Sequence, residues 1–315
     1  MLSAGLAAAA GELALRAFDP LHLSYYREIE TIFREGIQSL SGDPLGYQWR
    51  PGYQRRFRRY TVRINHAGIR ADQEYTEKSP GRSRLVCLGD SVTFGLGVER
   101  EQAYPAQLGL ALDAEAINLG VPGYNTRQSL ETWRRRGRAL APDVVVLFLV
   151  VNDLESDDYP DHRLAADPPQ GVRTLRQALP VTADLAAFLC LTRAEGTLLE
   201  HAPSWEQHKR DFRSLVEEVR QQGAGLVTIT EPTLDRSPRY QAAAGSLAAL
   251  AAGLGVENLD LNTVFPERDL SRYRLGKADP HGTPAAYARM VEALAPRVRA
   301  RLSPTAPGLL HYRRR

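Results

Sequence analysis

The sequence is poor in lysine, cysteine and net charge, and it has no long hydrophobic run. Lys78, Lys209 and Lys277 are the only lysines among 40 basic residues. The basic side is therefore almost all arginine, a compositional bias and not a nucleic-acid footprint. The formal net charge is +3. The densest basic runs, at residues 55–59, 134–136 and 313–315, are short and scattered, so they read as solvated faces and no nucleic-acid partner is expected. Two cysteines, Cys87 and Cys190, do not make a disulfide framework or a metal site. The seven histidines show no HExxH or His-x-His spacing, so no metal and no other cofactor is expected. Residues 86–98 contain neither G-x-G-x-x-G nor a Walker A lysine, which argues against a nucleotide-binding domain.

No apolar stretch approaches the roughly 20 residues of a bilayer-spanning helix. The opening segment, residues 1–18 ("MLSAGLAAAAGELALRAF"), carries about ten apolar or small residues before Glu12, without the positive n-region of a cleavable signal. It reads either as an amphipathic helix or as the remnant of a signal or membrane anchor. On the second reading the protein associates with a membrane through its N-terminus. A cell-envelope location, membrane-anchored or periplasmic/extracellular, is then favoured over the cytoplasm.

What is present is regular. Hydrophobic residues make up 43% of 315, enough for a large core. Residues 19–82 are polar, aromatic and arginine-rich, and read as a leader that packs on the main domain. From residue 83 to 303, strand patterns alternate with helix patterns. "RLVCLGD", "EAINLGVPG", "DVVVLFLVVND", "AGLVTITEP" and "VENLDL" are strands. The third is apolar throughout, as a strand buried on both faces is. A Ser204/Gln207 capping box is expected to open the helix that ends at Gly223, and Thr283 to cap the last helix with Pro284 in its first turn. The expected fold is α/β, a three-layer α/β/α sandwich with a five-stranded parallel sheet in the flavodoxin-like order 2-1-3-4-5. Residues 155–203 break the rhythm and read as a lid-like insertion that walls the pocket and sets substrate choice. Residues 304–315 form a basic tail.

In that order, the sheet reverses its winding between strands 1 and 3, and ligands bind beyond the C-terminal strand ends there. Ser91 follows strand 1 and Asn152 follows strand 3. Ser91 is therefore either a presented nucleophile or only a helix cap. A serine hydroxyl needs a base, and the base needs an orienting partner. "ADPHGTP" supplies both: Asp279 can hold Nδ1 of His281 and leave Nε2 free toward Ser91. The backbone N–H groups of Ser91 and Gly123 and the side-chain amide of Asn152 are candidate oxyanion donors.

"GDS" at 89–91, "NLGVPGYN" at 118–125, "VVND" at 150–153 and "DPH" at 279–281 resemble, in order and strand position, the four blocks of the SGNH (GDSL-like) hydrolase superfamily. The resemblance spans about residues 83 to 302. It implies Ser91 as nucleophile, His281 as base oriented by Asp279, and Gly123 and Asn152 as oxyanion donors. The leader is similar to that of bacterial envelope members carrying an N-terminal membrane anchor. Val92, Val150 and Gly282 depart from the usual pattern, but none removes a catalytic group. Asp90 and Asp153 read as loop-structuring carboxylates. The implied activity is serine-dependent hydrolysis, through an acyl-enzyme, of a short-chain acyl ester, either a small molecule or an O-acetylated glycan. The alternatives are an O-acyltransferase acting on an envelope polysaccharide and a non-catalytic binding module that retains the site.

Overall fold

The computed structural model describes residues 2–19, 22–150, 179, 181–182, 203–231 and 238–302. Asn152, Asp153, Cys190, nearly all of the 155–203 insertion and the 304–315 tail lie outside them. Five parallel strands form the central sheet: β5 (Arg84–Leu88), β6 (Glu115–Asn118), β7 (Val144–Leu149), β8 (Gly225–Thr230) and β9 (Glu257–Asp260), ordered β6-β5-β7-β8-β9. This is the 2-1-3-4-5 winding expected from the alternating pattern.

Strand alternation sorts the core into two faces. Leu85, Cys87, Val146, Phe148, Ile229 and Leu259 face α4 (Tyr104–Leu112) and the last helix, α9 (Pro284–Arg299). Val86, Leu88, Val145, Leu147 and Leu149 face α5 (Thr126–Thr132), α6 (Pro203–Gln221) and α7 (Pro238–Gly253). All six residues of β7 are buried, each side chain contributing roughly 1.5–3 kcal/mol. Cys87 sits in this core, where burial pushes its thiol up to about 12.

Helix boundaries follow the chemistry of their ends. The Thr283 hydroxyl accepts from the Ala286 N–H, and Pro284 fills the first turn of α9, where its missing N–H costs nothing. Gly223, at φ +78°, lets the chain leave α6. The start of α6 differs from expectation. The helix already begins at Pro203, so Ser204 lies inside it, and the Gln207 amide donates along the helix to Asp211.

Ahead of the leader lies α1 (Leu2–Phe18), and the leader opens with α2 (Ser24–Thr31). Two small antiparallel sheets follow, β1 (Ile37–Ser39) with β2 (Tyr47–Trp49), and β3 (Gln54–Arg56) with β4 (Thr61–Arg63). Their apolar residues share one cluster with Phe94, Leu96, Val121 and Tyr124, which belong to the loops after β5 and β6. Among the described residues, no helix is long and apolar enough to cross a membrane.

Candidate active site

The chain leaves β5 through Gly89, whose φ of +142° favours glycine. A Cβ there would sit 2.5 Å from Thr93 Oγ1 and 3.1 Å from Phe148 Cβ. The turn enters α3 (Ser91–Phe94), and Asp90 is its N-cap, Oδ1 accepting from the Val92 N–H at 2.9 Å. The capping role, the alternative reading of Ser91, therefore falls to Asp90. Ser91 stands at the first helical position with its hydroxyl directed elsewhere. Its Oγ lies 2.7 Å from His281 Nε2 and 3.3 Å from Asp90 Oδ2.

His281 and Asp279 come from the loop between β9 and α9. An antiparallel bridge between Arg274 and Gly282 pinches that loop, and the Leu275 N–H donates to the His281 carbonyl at 2.9 Å. Asp279 Oδ1 accepts twice within two residues: from the His281 N–H at 3.0 Å and from His281 Nδ1 at 2.6 Å. An ionised carboxylate can only accept, so the imidazole proton sits on Nδ1 and Nε2 presents its lone pair to Ser91.

Asp279 is 1% exposed and His281 6%. Burial opposes the charge on Asp279, but the neighbouring His281 and His22 outweigh it and hold the carboxyl well below its usual range. Burial likewise opposes protonation of His281. The Asp279 carboxylate outweighs that as well, helped by Asp90 and Glu231, and the imidazole moves above its ordinary value of 6.5. A serine hydroxyl, an imidazole of raised basicity and a desolvated carboxylate thus form one hydrogen-bonded chain, an arrangement suited to nucleophilic acyl transfer.

The loop after β6 closes the other side. Gly120 packs so tightly on α3 that a Cβ would lie 2.4 Å from the Phe94 nitrogen, and the Val121 N–H donates to the Gly89 carbonyl at 3.1 Å. Gly123 follows in a turn at φ +79°, in the loop that leaves β6, the strand paired with β5. Asn152, the other expected oxyanion donor, lies outside the described residues, and Val150 before it is buried in the core.

Three supporting residues were given no role by the motifs, although Asn118 opens the second block. Asn118, at the end of β6, donates from Nδ2 to the Thr93 carbonyl at 2.8 Å and accepts from the Gly120 N–H at 3.0 Å. Arg70, wholly enclosed, donates to the carbonyls of Phe94, Gly95 and Val98, closing the C-terminal end of α3. His22, also from the leader, places Nδ1 2.9 Å from Asp279 Oδ2. An asparagine ending a strand two residues before a glycine is the one local signal for Asn118. Arg70 and His22 are visible only once the leader is folded onto the sheet.

The model of the GDSL-like lipase/acylhydrolase family matches residues 87–289. No curated protein matches. Similar solved structures include a lipase/acylhydrolase from Enterococcus faecalis, at 15% identity, covering 71% of this chain and 100% of that one with a TM-score of 0.47. An acetyl xylan esterase, AlAXEase, is 16% identical, with 68% of this chain and 99% of that one covered and a TM-score of 0.46. A GDSL-like lipase from Bacteroides thetaiotaomicron is 12% identical, with 71% and 92% covered and a TM-score of 0.46. The matched stretch takes in the turn after β5, the loop after β6, and the Asp279–His281 loop, and the chain belongs to the GDSL-like lipase/acylhydrolase family of carboxylic ester hydrolases.

Proposed function

We propose that this protein hydrolyses short-chain acyl esters through an acyl-Ser91 intermediate, with His281 as general base and acid and Asp279 as its orienting partner. The observation that carries this reading is the unbroken chain from Ser91 Oγ to His281 Nε2 at 2.7 Å and from His281 Nδ1 to Asp279 Oδ1 at 2.6 Å. In the first half-reaction Oγ attacks the ester carbonyl while its proton passes to Nε2. The resulting oxyanion is held by the backbone N–H groups of Ser91 and Gly123 and by the Asn152 amide. The C–O bond to the alcohol then breaks, and the alcohol leaves with the proton from Nε2. In the second half, water gives a proton to Nε2 and attacks the acyl carbon, and Ser91 is released with its proton restored.

An O-acetylated glycan is the substrate class we favour. The Ser91 side of the site is partly exposed while His281 and Asp279 are enclosed, so a bulky alcohol can approach from that side. Transfer of the acyl group to a glycan hydroxyl differs only in the acceptor of the second half-reaction. An envelope location is the companion proposal, with α1 and its exposed Leu13 and Phe18 as the contact with the membrane surface.

The test is a profile of p-nitrophenyl esters from acetate to octanoate, run beside acetylated xylan, with and without a glycan acceptor. Release of acetate, falling steeply with chain length, is expected. A preference for octanoate contradicts the short-chain assignment, and acetate appearing only on the acceptor favours transfer over hydrolysis.

A further inference from the structure

Asp279 has two oxygens, and the chain to Ser91 uses only one. Oδ1 takes both bonds from His281. Oδ2 faces away from His281, is buried, and has the His22 ring as its close polar neighbour, with Nδ1 at 2.9 Å. A carboxylate turns easily about its last bond, where the torsional wells are broad. Contacts on one oxygen leave that rotation open, and a contact on each closes it.

His22 is costly to keep where it is. Its backbone lies in the left-handed region, φ +59°, which a non-glycine residue rarely adopts. Its ring is 1% exposed, and neither nitrogen has a well-aligned hydrogen-bond partner among the described residues. The Asp279 contact is close but bent, a geometry that apo sites often hold until substrate tightens them. Strain and an under-satisfied buried ring together, beside a reacting group, mark a side chain retained for its position.

The surroundings hold the ring against that loop. The His22 N–H donates to the Asp19 carbonyl at 3.0 Å, and the Tyr25 N–H to the His22 carbonyl at 3.2 Å. Leu23 and Tyr26 pack with Ala278 and Val181, and the Tyr25 ring lies 5.5 Å from that of His281. Val181 is fixed in turn by Glu12 of α1, whose carboxylate accepts from the Val181 and Thr182 N–H groups at 3.0 Å each. On the other side stands Glu28 of α2, buried and within electrostatic reach of both His22 and Asp279, with Tyr60 and Arg59 beyond it.

We propose that His22 is a positioning residue for Asp279, extending the chain to Ser91–His281–Asp279–His22 and making the leader part of the reactive site. The inference rests on the serine-esterase reading. The His22 N–H steadies Oδ2 and takes up part of its charge, so Asp279 orients His281 without over-stabilising the imidazolium. Removing that donor concentrates charge on Asp279 and raises the pH at which His281 gives up its proton. The other groups acting on His281, Asp90 and Glu231, are unchanged by the substitution, as is Tyr287, which lies within electrostatic reach of Asp279.

The experiment measures kcat, KM and the kcat/KM–pH profile on p-nitrophenyl acetate for the full chain and for His22→Phe, His22→Gly and His22→Asn, each also with Asp279→Asn. Phenylalanine keeps the ring volume without the donor. Glycine suits the left-handed backbone and serves if the phenylalanine variant does not fold. Asparagine suits that backbone and puts an amide N–H where Nδ1 stands. Loss of the donor is expected to lower kcat by about tenfold, the size of effect that loss of an outer partner has on a metal-bound histidine, with KM within about twofold. The acid limb should move to higher pH. Asparagine should restore kcat to within about threefold of the parent, and the His22 substitutions should have little further effect once Asp279 is asparagine, because two residues acting through one contact are not additive. A folded His22→Phe or His22→Gly with the parent's kcat and acid limb overturns the proposal, as does an undiminished effect in the Asp279→Asn background. A parent without turnover contradicts the esterase reading itself, a result distinct from either.

Discussion

Two regions meet at Ser91, and they reached it by different routes. The sheet and its loops supply Ser91, Gly123, Asp279 and His281, each placed by a strand end or a short turn. The leader supplies none of these four. It supplies Arg70 at the C-terminal end of α3, His22 behind Asp279, and Trp49 and Tyr47 against the loop after β6, where Trp49 Nε1 donates to the Gly120 carbonyl and the Tyr47 hydroxyl to that of Pro122. Reacting groups need fixed types at fixed spacings, so they leave motifs. Supporting groups need only the right atom at the right place in space, and many local sequences can deliver one.

The sharpest separation of the two regions comes from Ser91→Ala. Loss of the nucleophile is expected to lower kcat by a factor on the order of 10⁶, with circular dichroism and melting temperature unchanged. Asp279→Asn is next, at about 10⁴ in kcat, because the amide favours the wrong imidazole tautomer. It also carries a sign in pH. In the parent the Asp279 carboxylate raises His281, so the base is lost on acidification at a pH above about 6.5. Without that carboxylate, the acid limb of kcat/KM should move downward, and a limb that stays in place shows that Asp279 does not set the base.

On the leader side the largest effect should be in stability. Arg70→Leu leaves the carbonyls of Phe94, Gly95 and Val98 without their donor, and a loss of about 3 kcal/mol is expected by chemical denaturation. A variant as stable as the parent contradicts the role given to the leader. Arg134→Ala is the small-effect control. It breaks partly exposed ion pairs with Glu131 and Glu218 and should cost less than about 1 kcal/mol with no change in kcat.

Much of the sheet was legible from the sequence because burial writes itself into pattern. "VVVLFL" is apolar at every position because both faces of β7 are covered, and strand and helix lengths followed from punctuation such as Gly223 and Pro284. Ser91, Asp279 and His281 were legible because Gly89, Asp90 and the two-residue Asp279–His281 spacing are needed to make the turns that bring them together. The start of α6 was misread because a serine three residues before a glutamine suits a cap equally well inside a first turn. His22 was not legible at all: a lone histidine before "LSYY" carries no period and no motif. Its meaning comes from a left-handed backbone and a partner distant in sequence, Asp279, that the fold brings to it.

The central claim is that Ser91 is a nucleophile activated by His281. Its most direct test is covalent labelling by a fluorophosphonate at neutral pH, with the modified residue identified by peptide mapping and turnover of p-nitrophenyl acetate followed in the same sample. The account predicts a single adduct on Ser91, activity lost in step with its formation, and no labelling of Ser91→Ala. Full turnover after complete labelling, or an adduct formed on another residue while Ser91 stays unmodified, would contradict it.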